Sequence, residues 1–208
     1  MLLRTRPNVP ALPRLTLQRS LASLSYSSSA PPSAPSSSPL RHPRYAYDLY
    51  FHPQPASSSL SSRKPRTHAV SFFEEDVNDE RVIGWVLAGA GEEGGVPVLR
   101  PGGWEGRRGF EDVLHEVLKA HVGEDQGIQG LAAHQKLGYL NINDERSPAP
   151  FGRVSDPEDI LGAVRLDNGS IIPGSYERFP THRLVTFNGM FLLSTYLHQK
   201  LLERLRRG

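Results

Sequence analysis

The sequence contains no cysteine. Disulfides and thiolate metal sites are therefore excluded. It also lacks any apolar run near the roughly 20 residues that a membrane-spanning helix needs. The longest candidate, MFLLSTYLHQKLL, is interrupted by Ser194, His198, Gln199 and Lys200. A soluble domain is expected. Acidic residues are missing from the first 47 positions, Asp48 being the first. Hydrophobic residues are 38 % of the 208, and the shortfall is local. Residues 20–66 are crowded with Ser and Pro, as in SYSSSAPPSAPSSSP and HPQPASSSLSS. Such tracts have too little apolar surface to offset the entropy of ordering them.

What is present at the N-terminus is cationic. Residues 1–68 carry nine Arg and Lys against Asp48 alone, a net of +8. The whole chain is +2, which leaves −6 for residues 69–208. A body of that sign lacks the overall charge of a nucleic-acid binder. The first residues, MLLRTRPNVPALPRLTLQRSLASLS, mix Arg, Ser and Leu without acids. This is the composition of a mitochondrial transit peptide, a cationic amphipathic segment drawn to anionic surfaces and a negative matrix potential. Pro7, Pro10, Pro13 and Arg14 break any secretory apolar core. RSLAS at Arg19–Ser23 resembles a matrix-protease site. The expected organisation is a transit peptide at 1–24, a disordered Ser/Pro-rich linker at 25–67, and one domain at 68–208. Inside the linker, Tyr45, Tyr47, Tyr50 and Phe51 form an aromatic cluster expected to dock back on the domain.

The domain reads as α+β: a mostly antiparallel sheet with two or three helices packed on one face. HAVSFF and RVIGWVLAG are β-prone and suggest a hairpin across an acidic loop. Pro97 and Pro101 make VPVLRPGGWEG a loop or edge strand. In GFEDVLHEVLKAHVG, Phe110, Val113, Leu114, Val117 and Leu118 recur at helical spacing. GIQGLAAHQKLG suggests a second helix and GYLNIN a strand. Asp156, Pro157 and Asp159 in SDPEDILGAVRL carry the chemistry of a capped helical turn that leads into a strand. DNG at Asp167–Gly169 and Asn188-Gly189 signal tight turns. STYLHQKLLERLRRG is an amphipathic helix with Leu197, Leu201, Leu202 and Leu205 inward.

Metal and catalytic motifs fail on spacing. DVNDERVIGWVL starts like a calcium loop at Asp76, Asn78 and Glu80, but Arg81 replaces the needed Gly and Leu87 the needed Glu. NINDERSPAPFG fails at the same places. His115 and His121 are six apart, hence about 120° apart around a helix, and cannot share a zinc without a third element. No nucleophile elbow or zinc-protease motif occurs. GAGEEGG has neither the spacing nor the Lys of a phosphate loop. No metal and no cofactor are expected.

One group stays open. Asp144, Glu145, Arg146 and Arg153 flank a Pro-rich crossing near Phe151, and His182-Arg183 lies on a neighbouring strand. The group is an internal ion-pair lock or a binding pocket. The lock is the preferred reading; in the pocket reading His182, Arg183, Asp144 and Glu145 are the catalytic candidates. GYLNINDER, FGRVSDPEDILGAVRL and PTHRLVTFNG resemble segments of a family of small fungal proteins without an assigned activity. The resemblance covers about Phe110 to Leu205 and implies a recurring unit, with no reaction attached. The expected function is that of a mitochondrial accessory or assembly protein, in the matrix, whose partner is another mitochondrial protein. The alternatives are a mitochondrial enzyme built on the His/Arg/carboxylate pocket and a mitochondrial ribosome-associated protein, which the acidic domain disfavours.

Overall fold

Apolar alternation in HAVSFF and RVIGWVLAG places two strands side by side. The computed structural model describes residues 38–55, 64–75, 77–148 and 153–207. Strands β1 (Leu40–Arg41), β2 (Tyr50–Pro53), β3 (Arg66–Ser71) and β4 (Val82–Leu87) form an antiparallel meander. The β3–β4 pairing sets Ala69 opposite Trp85 and Val70 opposite Gly84. A small hairpin follows, β5 (Glu92–Glu93) with β6 (Val96–Pro97). Strand β7 (Trp104–Gly106) then returns to pair with the free side of β4 as the edge. On the outer face the Arg66 guanidinium lies 3.6 Å from the Trp85 ring centroid and pairs with Glu105 at 2.7 Å. That stack staples β3, β4 and β7 together.

The expected linker at 25–67 is corrected in part. Residues 40–53 supply two strands of this sheet, so the folded body begins before Leu40 and not at His68. The physical reason is the aromatic cluster. Phe51 and Leu49 are fully buried, and Tyr47 stacks on His198 at 3.8 Å between ring centroids. The Tyr45 hydroxyl donates to the Phe191 carbonyl and the Tyr47 hydroxyl to that of Leu193. Three large rings, Tyr45, Tyr47 and Phe51, offset the ordering cost that the Ser- and Pro-rich flanks alone could not. The segment assigned to import, 1–24, lies outside the described residues, as does Phe151.

Helix α1 (Arg108–His121) buries Phe110, Leu114, Val117 and Leu118. It packs against β4 and against helix α3 (Thr195–Arg207), whose Leu197, Leu201 and Leu205 point inward while Leu202 is half-buried. Phe51, Val70, Ile83 and Phe191 complete one continuous core. Helix α2 (Gln126–Gln135) starts at Asp125, whose carboxylate accepts from the Ile128 N–H at 3.1 Å.

A second antiparallel sheet centres on β9 (Ile160–Asp167). It has β8 (Gly138–Asn143) on one side, and β10 (Ser170–Ile171) and β11 (Glu177–Arg178) on the other. Asn168 and Gly169 both take positive φ, 48° and 84°, which makes the β9–β10 connection a left-handed two-residue turn. Gly162 lets β11 approach closely, since a Cβ there would collide with the Glu177 carbonyl and the Tyr176 ring. Strands β12 (Val185–Thr186) and β13 (Gly189–Met190) close a last tight hairpin with Phe187 and Asn188 at its tip. The fold is thus α+β and mostly antiparallel. Among the described residues no helix is long and apolar enough to cross a membrane.

Candidate functional site

The acidic stretch after β8 is where the chain concentrates buried charge. At the end of β8 the Asp144 N–H donates to the Asp159 carbonyl, and the Glu145 N–H to that of Leu192. These bonds tie β8 to the turn before β9 and to the segment that follows β13. Asp144 is completely buried. Its Oδ1 accepts the N–H groups of Arg146 at 2.9 Å and Leu192 at 2.8 Å. Its Oδ2 faces Arg146 Nη2 at 3.0 Å and His182 Nε2 at 3.3 Å.

Arg146 is the hub. Its side chain is 3 % exposed. Nη1 donates to the carbonyls of Leu184 and Gly189, and Nη2 to those of Glu158 and Arg183. Nε lies 3.0 Å from Asp159 Oδ1, a charge contact without the alignment of a hydrogen bond. Burial pushes the Asp159 carboxyl up from its ordinary value, and Arg146 acts in the opposite direction. One guanidinium thus meets two carboxylates and four carbonyls contributed by four stretches of the chain, at 144, 158–159, 183–184 and 189. The sequence pattern gave Asp156 and Asp159 to a helix cap. In the structure 157–159 is a single 3-10 turn, Asp156 makes no side-chain cap bond, and Asp159 turns inward to Arg146.

The four candidate residues therefore separate. Asp144 and His182 meet in the interior. Glu145 is exposed and contributes only its backbone. The Arg183 side chain is exposed and faces Glu158 at 3.8 Å. Arg153 is exposed and makes no bond to the group. The arrangement is a lock, its polar atoms used to hold loops together.

Behind His182 lies a second buried polar pair. The His115 ring is 6.4 Å from the His182 ring, and its Nδ1 is 2.8 Å from the Tyr176 hydroxyl, which also reaches the Leu161 carbonyl. Burial, then Arg178 and His182, push His115 down to about 3, so the ring is neutral. His121 instead pairs with Glu124 at the surface, so the two histidines of α1 diverge as their spacing requires. Among the described residues no group of three or more His, Asp or Glu side chains is placed to hold a metal ion.

Two clefts open on either side of the lock. The first, about 660 Å³, lies between the β5–β6 hairpin, the loop after β1 and the β12–β13 hairpin. Tyr45, Val96, Leu99, Met190 and Leu192 line it, with Arg146 at its floor and an Arg44–Glu93 ion pair of 3.2 Å beside it. Next to Asn188 on its wall, Phe187 stands at the hairpin tip 83 % exposed. The second, about 910 Å³, is more polar, with Trp104, Arg108, Glu111, Glu158, His182 and Arg183 around it. No family model, no curated protein and no solved structure matches the chain. Phe187 was missed in the sequence. The only signal was a bulky apolar residue in front of the Asn-Gly turn pair, where small polar residues are usual.

Proposed function

We propose that the chain is a mitochondrial accessory protein that acts by binding another protein, and that it docks through the first cleft with Phe187 as an anchor. The observation that carries this reading is Phe187 itself. A phenyl ring held 83 % exposed on a tight hairpin, beside an apolar-lined cleft, is presented to a partner instead of being packed. The cationic, acid-free first residues support import. The lock supports it too, because its charged atoms are already engaged with one another and are not poised for chemistry.

The test has two arms. Isolated energised mitochondria should import and shorten the full chain, and should fail to import a chain lacking residues 1–24. A photo-reactive phenylalanine analogue at position 187 should then give one discrete cross-linked species inside mitochondria, which Leu192→Glu in the cleft abolishes. A diffuse smear, or cross-linking indifferent to Leu192→Glu, rejects the docking surface.

The enzyme alternative has one observation in its favour. His182 and Arg183 share the second cleft with three carboxylates, Glu111, Asp156 and Glu158. Against it, His182 Nε2 is already turned to the fully buried Asp144.

A further inference from the structure

Charge is unevenly spread along the folded chain, and one stretch has almost none, although the exposed Arg165 of β9 stands across from its Tyr139. From Gln126 to Asn143 the only residue with a formal charge is Lys136. This stretch is α2 and β8, and most of it faces solvent. Leu131, Leu137 and Tyr139 are 57 %, 62 % and 59 % exposed within it. The stretch also includes a free sheet edge. Strand β8 pairs with β9 on one side, and among the described residues no strand pairs with the other.

The edge lacks the usual protection. Natural edge strands carry Lys, Pro or a pronounced bulge to discourage pairing. Gly138–Asn143 reads GYLNIN, with no charge and no Pro, and its register shift comes only at its last residue. Leu140 and Ile142 point into the core, so Tyr139, Asn141 and Asn143 share the outer face. The Tyr139 carbonyl accepts from Gln135 Nε2 at 2.8 Å, which shows that it points away from β9. By the two-residue alternation of a strand, the N–H and C=O of Asn141 point outward as well.

We infer that the β8 edge is a dimerisation surface whose occupant is a second copy of this chain. The two β8 strands pair antiparallel about a two-fold axis near Asn141. In such an isologous contact Asn141 meets its own copy and its neighbours meet residues of the same strand, Leu140 facing Ile142 and Tyr139 facing Asn143, so a strand charged throughout would repel itself. An uncharged edge is the sort that tolerates its own copy, and it offers an acidic or basic partner nothing to complement. The symmetric contact also covers Leu131, Leu137 and Tyr139 from both copies. Gln135, an exposed side chain, swings off the Tyr139 carbonyl to admit the partner strand. This inference stands apart from the cleft with Phe187, which lies on other elements.

The absence of cysteine makes the test direct. In an antiparallel pair the facing Cα atoms lie about 4.5–5.5 Å apart, within the range a disulfide spans. Full-length Asn141→Cys under mild oxidation should form a covalent dimer, while Lys119→Cys, exposed on α1, should not. Sedimentation of the unmodified chain should show a dimer that dissociates on dilution. Tyr139→Lys, at an exposed position, should weaken it about tenfold or more without loss of far-ultraviolet signal. A chain that stays monomeric at the highest soluble concentration overturns the proposal. So does an Asn141→Cys protein that cross-links no faster than the Lys119→Cys control, or a dimer unmoved by Tyr139→Lys.

Discussion

Arg146 Nη2 and Asp144 Oδ2 meet 3.0 Å apart with the two side chains 3 % and 0 % exposed. At that depth the ion pair cannot be judged by its Coulomb attraction alone. Desolvation of both groups is offset because the Asp144 oxygens and both Arg146 Nη groups find partners, while Arg146 Nε keeps only its charge contact with Asp159. Here the partners are backbone groups of separate stretches of the chain, so the pair fixes its path.

Replacing Arg146 by Met should therefore cost about 3–5 kcal/mol in urea unfolding, because Asp144 and Asp159 are left buried without their cation. Arg146→Lys should recover little. One ammonium has three donors and cannot serve two carboxylates and four carbonyls at once. A loss within about 0.5 kcal/mol for Arg146→Met, the range of ordinary surface substitutions, would contradict the lock.

Phe51 tests whether residues 40–53 belong to the body. It is fully buried between β3 and the core, opposite Val70. Phe51→Ala should lower stability by about 3–5 kcal/mol. A segment that merely trailed across the surface would show no measurable change in the same denaturant titration.

These two sites also mark what the sequence could and could not convey. Helix α1 was legible because Phe110, Leu114 and Leu118 repeat at its period, and the β9–β10 turn because Asn-Gly tolerates left-handed backbone. Such signals are local. Strand β2 is hidden because Ser and Pro on both sides lower the average of the window, whereas it is held by β3, and the tyrosines just before it, Tyr45 and Tyr47, by Leu193, Phe191 and His198 far along the chain. The sequence marks Arg146 as part of a charged group but places Asp159 in a helix cap. Its direction is set by Arg146, which a local reading could not place beside it.

Gly162 should not accept a side chain. Gly162→Ala would drive a methyl into the Glu177 carbonyl and the Tyr176 ring. Backbone cannot yield as a flexible side chain does. The β9–β11 pairing must part, at a cost of about 1–3 kcal/mol. Thermal melting should show a clear drop for Gly162→Ala and almost none for Gly123→Ala, where a Cβ meets nothing.

Acid should weaken the fold through its buried imidazoles, and His198 allows the effect to be isolated. The ring is buried, stacked on Tyr47, and its Nδ1 has no partner among the described residues. Burial pushes its pKa from 6.5 down to about 4, with Asp48 opposing weakly. Between those two values the unfolded chain binds the proton and the folded one does not. Stability is therefore whole above about pH 6.5, falls as pH drops through the window, and stops falling on this account near pH 4. The loss is about 1.4 kcal/mol for each unit of the shift that is crossed. His198→Phe keeps a ring against Tyr47 and Phe72 but removes both the titration and the unpaired nitrogen. Unfolding free energies from pH 7 to pH 4 should fall less steeply for His198→Phe than for the unmodified chain. His115, neutral down to about 3, adds to the acid sensitivity that remains, as do His42 and His68, whose pKa values burial also lowers. Parallel pH curves for the two proteins would show that His198 is not held neutral by its burial.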